Sequence, residues 1–429
     1  MNWYDAVAVD RRLPRREKRA DGLAWTACLA LFGFSLYMFQ WQFHNHDGDL
    51  YKHAVIASEF VFTDLHSITS RLAYPLWHLF VSALFQLGVP LDWAAAVVCA
   101  VCKALGFLLT RRLFAVTLHE RAPGWLITLC AFGVMFVTGL RIPGVNDFVY
   151  RGVGSPNVWH NPTQLAVLVT ALLCVPYTLH CWYEFERLLP EKGEKVMLPW
   201  RKVVCLAALL VLSLACKPTF AQALIPAAAI FFLVEWIRHP RSSRYFFQII
   251  LAYLPAVAYF LLQYLYYTGV VVPFTSGVAF GVTLDGVWLA VRNMLMMAAF
   301  PLFAVLCCYR KGQMRDKQIV LCLLMVLLSV LEAMCFTETG LRQNHGNFNW
   351  ASMSSAFLLW VTMLPRFIAS IADYRSGALL TDTDEGPADS PRAHRLRSAG
   401  YFVGFVLLLW HLYSGGYYLY HLFLTGNTF

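Results

Sequence analysis

Charged side chains are scarce in this 429-residue chain, and the scarcity argues against an ordinary soluble protein. Asp, Glu, Lys and Arg make up 14% of the residues, whereas 59% are hydrophobic. Polytopic membrane proteins have this composition, because every helix that crosses the bilayer needs about 20 mostly apolar residues. We therefore expect an all-α fold, a polytopic bundle of transmembrane helices.

The sequence also lacks the short motifs of several enzyme classes. It contains no P-loop, no G-x-G-x-x-G that opens a helix after a strand, no G-x-S-x-G and no H-E-x-x-H. These absences disfavour a nucleotide-driven pump and a cytosolic nucleotide-sugar enzyme. The 12 Cys residues show neither zinc-ligand spacing nor a secreted disulfide framework, so we interpret them as small core residues.

Basic residues set the predicted topology, and they account for the net charge of +9 better than nucleic-acid binding does. Cytoplasmic loops carry an excess of Lys and Arg, and such residues cluster before the first apolar run and in four later connections. We expect roughly eleven spans, with the N-terminus inside and the C-terminus outside. The apolar run 73–90 is then a re-entrant or interfacial helix on the outer side. The predicted outer loops are 44–91, 141–160, 269–286 and 338–349.

Four parts follow from this topology. A cytoplasmic basic arm covers residues 1–23, and the transmembrane module covers 24–371. Residues 372–398 are rich in Asp, Ser and Pro and predict a flexible cytoplasmic linker. Residues 399–429 form the last transmembrane helix and the outer C-terminus. No internal repeat is found.

Polar side chains concentrate in the predicted outer loops, as expected of a site for an anionic, polar substrate. The candidate catalytic residues are Asp49, Asp47 and Asp147. The candidate substrate-binding residues are His53, Arg151, Trp159, His160, Lys217, Glu338, Arg342 and His345.

Asp47 and Asp49 have two simpler interpretations. Asp47-Gly48-Asp49 can be a polar turn, and Asp49 can be the N-cap of the helix that we expect to start near Leu50. A cap does not require His53, however, which lies four residues after Asp49 and shares its helical face.

The other candidates also have alternatives. Trp159 can be an interfacial belt residue or can stack on a sugar, and Asn161-Pro162 is a favourable helix entry. Lys217 can snorkel to the interface or bind a phosphate, with Arg342 as a second anion ligand.

The need for a cofactor is left open by the sequence. Asp47, Asp49, His53 and His345 are suitable ligand types for a divalent cation, but their spacing follows no strong metal motif.

This arrangement resembles the GT-C glycosyltransferases. The shared features are one span after a cytoplasmic N-terminus, an outer loop that opens with Asp47 and Asp49, a crossing that ends in basic residues, and a second outer loop with Asp147. Tyr74-Pro75-Leu76 is similar to the Pro-Pro-Leu start of a helix in some members. The chain departs from the family in having no Asp-Glu pair in loop one and no soluble C-terminal domain.

The resemblance implies a GT-C-like fold and a membrane glycosyltransferase. Such an enzyme transfers a sugar from a lipid-linked, polyprenyl-phosphate donor to an extracytoplasmic acceptor, usually with inversion. It implies Asp49 or Asp47 as the catalytic acidic residue of the first loop, whose carboxylate takes the acceptor's proton, and Asp147 as the acidic residue of the second loop. We expect membrane lipids and the donor as partners, no nucleic acid, and a multi-pass protein of a bacterial plasma membrane with its active site on the outer face.

Two alternatives from other classes remain. A transporter or flippase for a lipid-linked or anionic substrate would also place polar residues between spans, near the bilayer midplane. A non-catalytic membrane scaffold would carry the polar loops without using them.

Overall fold

The computed structural model describes most of the chain. The described residues are 15–46, 48–69, 73–118, 121–146, 150, 153–267, 276–307, 316–340, 348–376 and 391–425.

Helices dominate this part of the chain, as the composition predicts. The fourteen α-helices of the described residues are α1 Arg15–Asn45, α2 Asp49–Ser58, α3 Leu65–Thr69, α4 Leu76–Gln86, α5 Leu91–Leu118, α6 Gly124–Val134, α7 Pro162–Lys192, α8 Trp200–Cys216, α9 Thr219–Arg238, α10 Ser243–Tyr267, α11 Leu284–Cys307, α12 Lys317–Cys335, α13 Asn349–Arg375 and α14 Pro391–Thr425. Single 3₁₀ turns at Gly193–Lys195 and Pro240–Ser242 join neighbouring helices.

Nine of these helices are long and apolar enough to cross a membrane, where the sequence predicted roughly eleven spans. The two runs that differ are 201–217, which forms the 17-residue α8, and 123–141, which forms the 11-residue α6. Eleven helical residues extend about 16 Å, roughly half of the hydrocarbon thickness. The polytopic character is confirmed, and the count in the described residues is lower than expected.

After α6 ends, the non-helical chain makes a backbone hydrogen bond to the kinked helix α11. Pro301 in α11 has no N–H to donate, and Ala298 departs from helical geometry with φ −120° and ψ 20°. The carbonyls freed at this kink are used elsewhere: that of Met296 accepts from Leu140 N at 2.9 Å, and that of Met297 accepts from Trp360 Nε1 at 3.0 Å. The kink in α11 therefore supplies a hydrogen-bond acceptor for the backbone N–H of Leu140, which follows α6.

Helices α7 and α13 form the centre of the bundle, with most of their residues buried. Close packing on α13 depends on the small residues of its segment 351–356. Ser352 and Ser355 donate to the carbonyls of Ser329 and Met325 on α12, at 3.2 and 3.3 Å. Small side chains and interhelical hydrogen bonds of this kind hold membrane helices together where the hydrophobic effect cannot.

The predicted non-spanning helix of run 73–90 is present as α4. Its 11 residues are too few to cross a bilayer. Trp77 and His78 are completely buried against the rest of the protein. The helix therefore packs within the protein and contacts α2, α5 and α8.

A two-stranded antiparallel ribbon interrupts the all-α pattern. Strand β1 (Ser276–Phe280) pairs with β2 (Phe336–Gly340), and Val278 faces Glu338 in the register. The sequence predicted an outer loop for all of β1, but for β2 only from residue 338 onwards. Strands of five residues are too short for a periodic signal, and their partner lies far along the chain.

The ends of two predicted parts also differ from expectation. Helix α1 begins at Arg15, inside the predicted arm 1–23, and α14 begins at Pro391, inside the predicted linker 372–398. Residues 377–390 of the linker lie outside the described residues.

An ion-pair network occupies one end of the bundle. Arg366 donates to Asp316 at 2.7 and 2.9 Å, and Glu235 accepts from Arg238 and from Lys317. Glu235 lies 16 residues after the start of α9, which corresponds to about 24 Å along the helix. The start of α9, next to Lys217, therefore lies at the opposite end, where the site described below is built.

Candidate functional site

The predicted site residues divide into two groups. Five of them lie outside the described residues, namely Asp47, Asp147, Arg151, Arg342 and His345. The other six have a defined place in the structure: Asp49, His53, Trp159, His160, Lys217 and Glu338.

Asp49 is the first residue of α2, and its side chain does not cap that helix. The N-cap is Gly48, and no side chain caps the helix there, so the capping alternative for Asp49 is wrong. The Asp49 carboxylate instead accepts a hydrogen bond from Asn161 Nδ2 at 2.8 Å. Asp49 therefore bonds to a residue 112 positions away in the sequence, and not to the backbone of its own helix as a cap would.

Asn161 joins Asp49 to Lys217. Its Oδ1 accepts from Gln164 N at 3.0 Å, as the N-cap of α7, and from Thr163 Oγ1 at 2.9 Å. The same oxygen accepts from Lys217 Nζ at 3.2 Å. With its oxygen held by these donors, the amide can direct only its NH₂ group at the carboxylate. The predicted helix entry at Asn161-Pro162 is confirmed, but the bridging role was not predicted.

Lys217 is buried, with 6% of its surface exposed, in the turn between α8 and α9. Its Nζ lies 3.6 Å from the centre of the Trp350 ring, at the first turn of α13. A snorkelling lysine would reach water with its ammonium group, so the burial contradicts that alternative. Nothing in the spacing of Trp350 along the sequence predicts this contact, because Lys217 lies 133 residues earlier in the chain.

Burial and neighbouring charges perturb the protonation of the site. Burial raises the pKa of Asp49, but His160, the Asn161 amide, His53 and Lys217 together hold the pKa of that carboxyl below its usual value. Burial lowers the pKa of Lys217 to about 7 and the pKa values of His53 and His160 to about 4. At neutral pH Asp49 is therefore a carboxylate and both imidazoles are neutral, while Lys217 titrates near neutral pH.

The two predicted histidines both interact electrostatically with the Asp49 carboxylate. His53 Nδ1 lies 2.9 Å from His78 Nε2 on α4, so one of these rings donates to the other. His160 Nδ1 lies 2.8 Å from the Tyr418 hydroxyl, which also accepts from Trp159 N at 3.3 Å. The Tyr418 hydroxyl can therefore donate its own proton to His160 Nδ1. Because Nδ1 then acts as an acceptor, the neutral imidazole carries its proton on Nε2.

Trp159 lies in the core rather than at an interface. Its ring stacks between Phe39 and Phe136, with centroids 6.0 and 5.6 Å away, and Lys103 Nζ lies 3.9 Å from its centre. Only 1% of the residue is exposed. The belt interpretation is therefore wrong, and the ring faces are already occupied by protein atoms.

A cavity of about 640 Å³ begins at Lys217. Its walls come from α9, α10, α12 and the β1–β2 ribbon, and most of its lining is apolar. Glu338, a predicted substrate-binding residue, lines it together with Thr219 and Phe348. Lys217 is therefore shared between the Asp49 cluster and the cavity.

No group of three potential metal ligands occurs among the described residues. Asp47 and His345, which were considered as ligands with Asp49, are outside that part of the chain.

No family model, curated protein or solved structure matches this chain. The function is therefore argued from the geometry of the site.

Proposed function

We propose that the chain is a membrane glycosyltransferase that moves a sugar from a lipid-linked, polyprenyl-phosphate donor to an acceptor at the extracytoplasmic face. One observation carries the proposal: Lys217 is bonded to the residue that holds the Asp49 carboxylate, and it also lines a largely apolar cavity. A lipid-linked sugar has a part for each of these features. Its apolar chain fits the cavity, its phosphate fits Lys217, and its sugar would then lie towards Asp49.

The cavity suits the lipid part of such a donor. Its volume of about 640 Å³ is within the range of roughly 300–1,000 Å³ that ligand pockets occupy. Its apolar walls favour an isoprenoid chain, and the burial of Lys217 means that a phosphate beside it would be partly desolvated. An ammonium binds phosphate as a point charge, and the interaction is stronger where water is excluded.

The chemistry that we propose uses Asp49 as the base. The acceptor hydroxyl gives its proton to the Asp49 carboxylate while its oxygen bonds to the anomeric carbon of the sugar. The bond between that carbon and the phosphate oxygen breaks, and polyprenyl phosphate leaves with the electron pair. Lys217 stabilises the negative charge on the departing phosphate. The attack comes from the face opposite the phosphate, so the configuration inverts.

Asn161 acts as a positioning residue in this proposal. Its amide lies between the two charged groups. Its Nδ2 is 2.8 Å from the Asp49 carboxylate, and its Oδ1 is 3.2 Å from the Lys217 ammonium. Without it, the two opposite charges could form a direct ion pair, which would occupy the carboxylate and the phosphate site at once. Separation by an amide leaves each charge available to a substrate.

Asp49→Asn tests the proposal. The change is nearly isosteric, so the fold should persist while release of polyprenyl phosphate falls roughly a hundredfold or more, as expected for loss of a general base. Asp285→Asn is the matched control, since Asp285 is an exposed carboxylate at the start of α11, and it should retain full turnover.

Full turnover by a folded Asp49→Asn variant would exclude Asp49 as the base. Translocation of a lipid-linked substrate by wild-type protein, without release of polyprenyl phosphate, would favour the transporter alternative instead.

A further inference from the structure

Helix α9 carries an apolar face that continues the cavity. Gln222, Ile225 and Pro226 of this helix line the cavity. Ala229 and Leu233 lie seven and eleven residues after Gln222, about two and three helical turns, so they lie on the same side of α9. Both are exposed, and no polar residue interrupts the stretch from 223 to 234. The lining of the cavity therefore passes into an apolar stripe on the surface of the bundle.

The helices on either side of this stripe do not close over it. Helices α10 and α12 both pack against α9, whereas no extended contact between α10 and α12 exists along their described residues. The spanning segment of α9 is also more buried than those of α10 and α12. Tyr264 on α10 and Leu331 on α12 line the cavity and are exposed. The cavity therefore opens sideways into a groove that has α9 as its floor.

The length of this groove restricts what can fill it. From Thr219, which lines the cavity, to Leu233 the helix advances about 21 Å. The hydrocarbon core of a bilayer is about 30 Å thick, so the chain of a phospholipid in one leaflet reaches only about 15 Å. A single chain that starts at Lys217 and fills the groove must therefore be longer than a phospholipid chain.

We propose that the face of α9 between α10 and α12 binds the distal isoprene units of a long polyprenyl chain, so that the protein selects long-chain donors. The phosphate lies at Lys217, the first isoprene units fill the cavity, and the following units lie along Ala229 and Leu233. The inference rests on the proposed function, because it takes the chain in the cavity to be that of the lipid-linked donor. It adds a requirement for chain length to that substrate class.

Two polyprenyl phosphates of different length test the groove. Geranyl phosphate has two isoprene units, too few to follow α9 beyond the cavity, whereas undecaprenyl phosphate has eleven. Binding of each to the full-length protein is measured in nanodiscs, against the amount of that lipid in the nanodiscs, so that partition from water does not enter the comparison. We expect the long chain to bind about tenfold more tightly, because van der Waals contacts are individually small but add up along a groove.

Ala229→Trp then fills the groove just below the cavity. This variant should lose the preference for undecaprenyl phosphate and keep its affinity for geranyl phosphate. Ala30→Trp is the matched control, since Ala30 is an exposed alanine of the spanning helix α1, away from the cavity, and it should keep the preference.

Equal affinity of wild-type protein for the two lipids would overturn the inference, whether or not the variant folds. A folded Ala229→Trp variant that keeps the preference would overturn it as well, and would mean that ordinary bilayer lipid covers this face of α9.

These outcomes are distinct from a failure of the proposed function. A preference for the long chain that Ala229→Trp removes, without any release of polyprenyl phosphate from a lipid-linked sugar, would support the groove and refute the sugar transfer. Sugar transfer with no preference for chain length would do the reverse.

Discussion

Replacing Lys217 with Met removes the ammonium that lies between the carboxylate and the cavity while keeping most of the side-chain volume. The native ammonium contacts Asn161 Oδ1 at 3.2 Å and the Trp350 ring at 3.6 Å. Asn161 Oδ1 keeps its two other donors in the variant. The local fold should therefore persist.

The expected effect on donor binding follows from the charge. A hydrogen bond from a charged donor to phosphate contributes about 1.5–3 kcal/mol, and about 1.4 kcal/mol corresponds to a tenfold change in affinity. Lys217→Met should thus weaken donor binding about 10- to 150-fold. The free energy of unfolding should change by no more than about 1 kcal/mol, because the lost contacts are offset by no longer burying a charge.

The pH dependence gives an independent signature. The pKa of Lys217 is lowered to about 7, so donor affinity of the wild-type protein should fall as the pH rises above about 7, and that of Lys217→Met should not. The free energy of unfolding should change with pH in the opposite direction to the donor affinity. Between roughly pH 7 and pH 10 the unfolded chain holds a proton that the native Lys217 has lost, so the stability of the wild type should rise with pH.

The assay is a titration of a polyprenyl-phosphate sugar, without acceptor, into purified protein in nanodiscs at several pH values, with thermal unfolding measured on the same samples. Lys52→Met is the control, since Lys52 is an exposed cation on α2, and it should leave the affinity unchanged. Equal affinity of wild type and a folded Lys217→Met variant, with the same pH profile, would refute the assignment of Lys217 to the phosphate.

Three further changes are expected to have measurable effects. Asn161→Asp places a like charge beside Asp49 and should raise the pKa of that carboxyl, which moves the acid limb of the pH–rate profile to higher pH. Trp350→Leu removes the ring beside the Lys217 ammonium and should lower the pKa of Lys217 further, so the alkaline limb should move to lower pH. A single Cys at Thr63 in a background without native Cys should react with an impermeant reagent from outside intact cells, and reaction only after permeabilisation would contradict the predicted topology.

Much of the helical framework could be predicted from the sequence, because it depends on local patterns. Apolar runs of sufficient length marked nine helices that the structure also has. The entry to α7 at Asn161-Pro162 followed from the preferences of residues at helix ends, whereas the same preference gave the wrong cap for α2, whose N-cap is Gly48.

The parts that sequence reasoning missed depend on contacts between distant residues. Asn161 was interpreted as a helix entry, but its bond to Asp49 spans 112 residues and its bond to Lys217 spans 56. No spacing along a single helix reports such contacts. The non-helical segment after α6 is another example, since Leu140 N donates to a carbonyl that the kink in α11 sets free.

Burial was the other quantity that composition alone could not supply. Lys217 and Trp159 were both weighed as interfacial residues, and both are buried, with exposures of 6% and 1%. A polar or aromatic residue near the end of an apolar run has the same sequence signature whether it faces lipid headgroups or protein. The distinction arises only when neighbouring helices cover it, as Trp350 covers Lys217.

Sugar transfer from a lipid-linked donor is best tested by following both the sugar and the lipid in one experiment. Purified wild-type protein is reconstituted in vesicles with polyprenyl-phosphate hexoses and pentoses and a membrane lipid extract as acceptor. We predict that polyprenyl phosphate is released in step with appearance of the sugar on an acceptor. Movement of intact lipid-linked sugar between the leaflets, with no polyprenyl phosphate released, would contradict it.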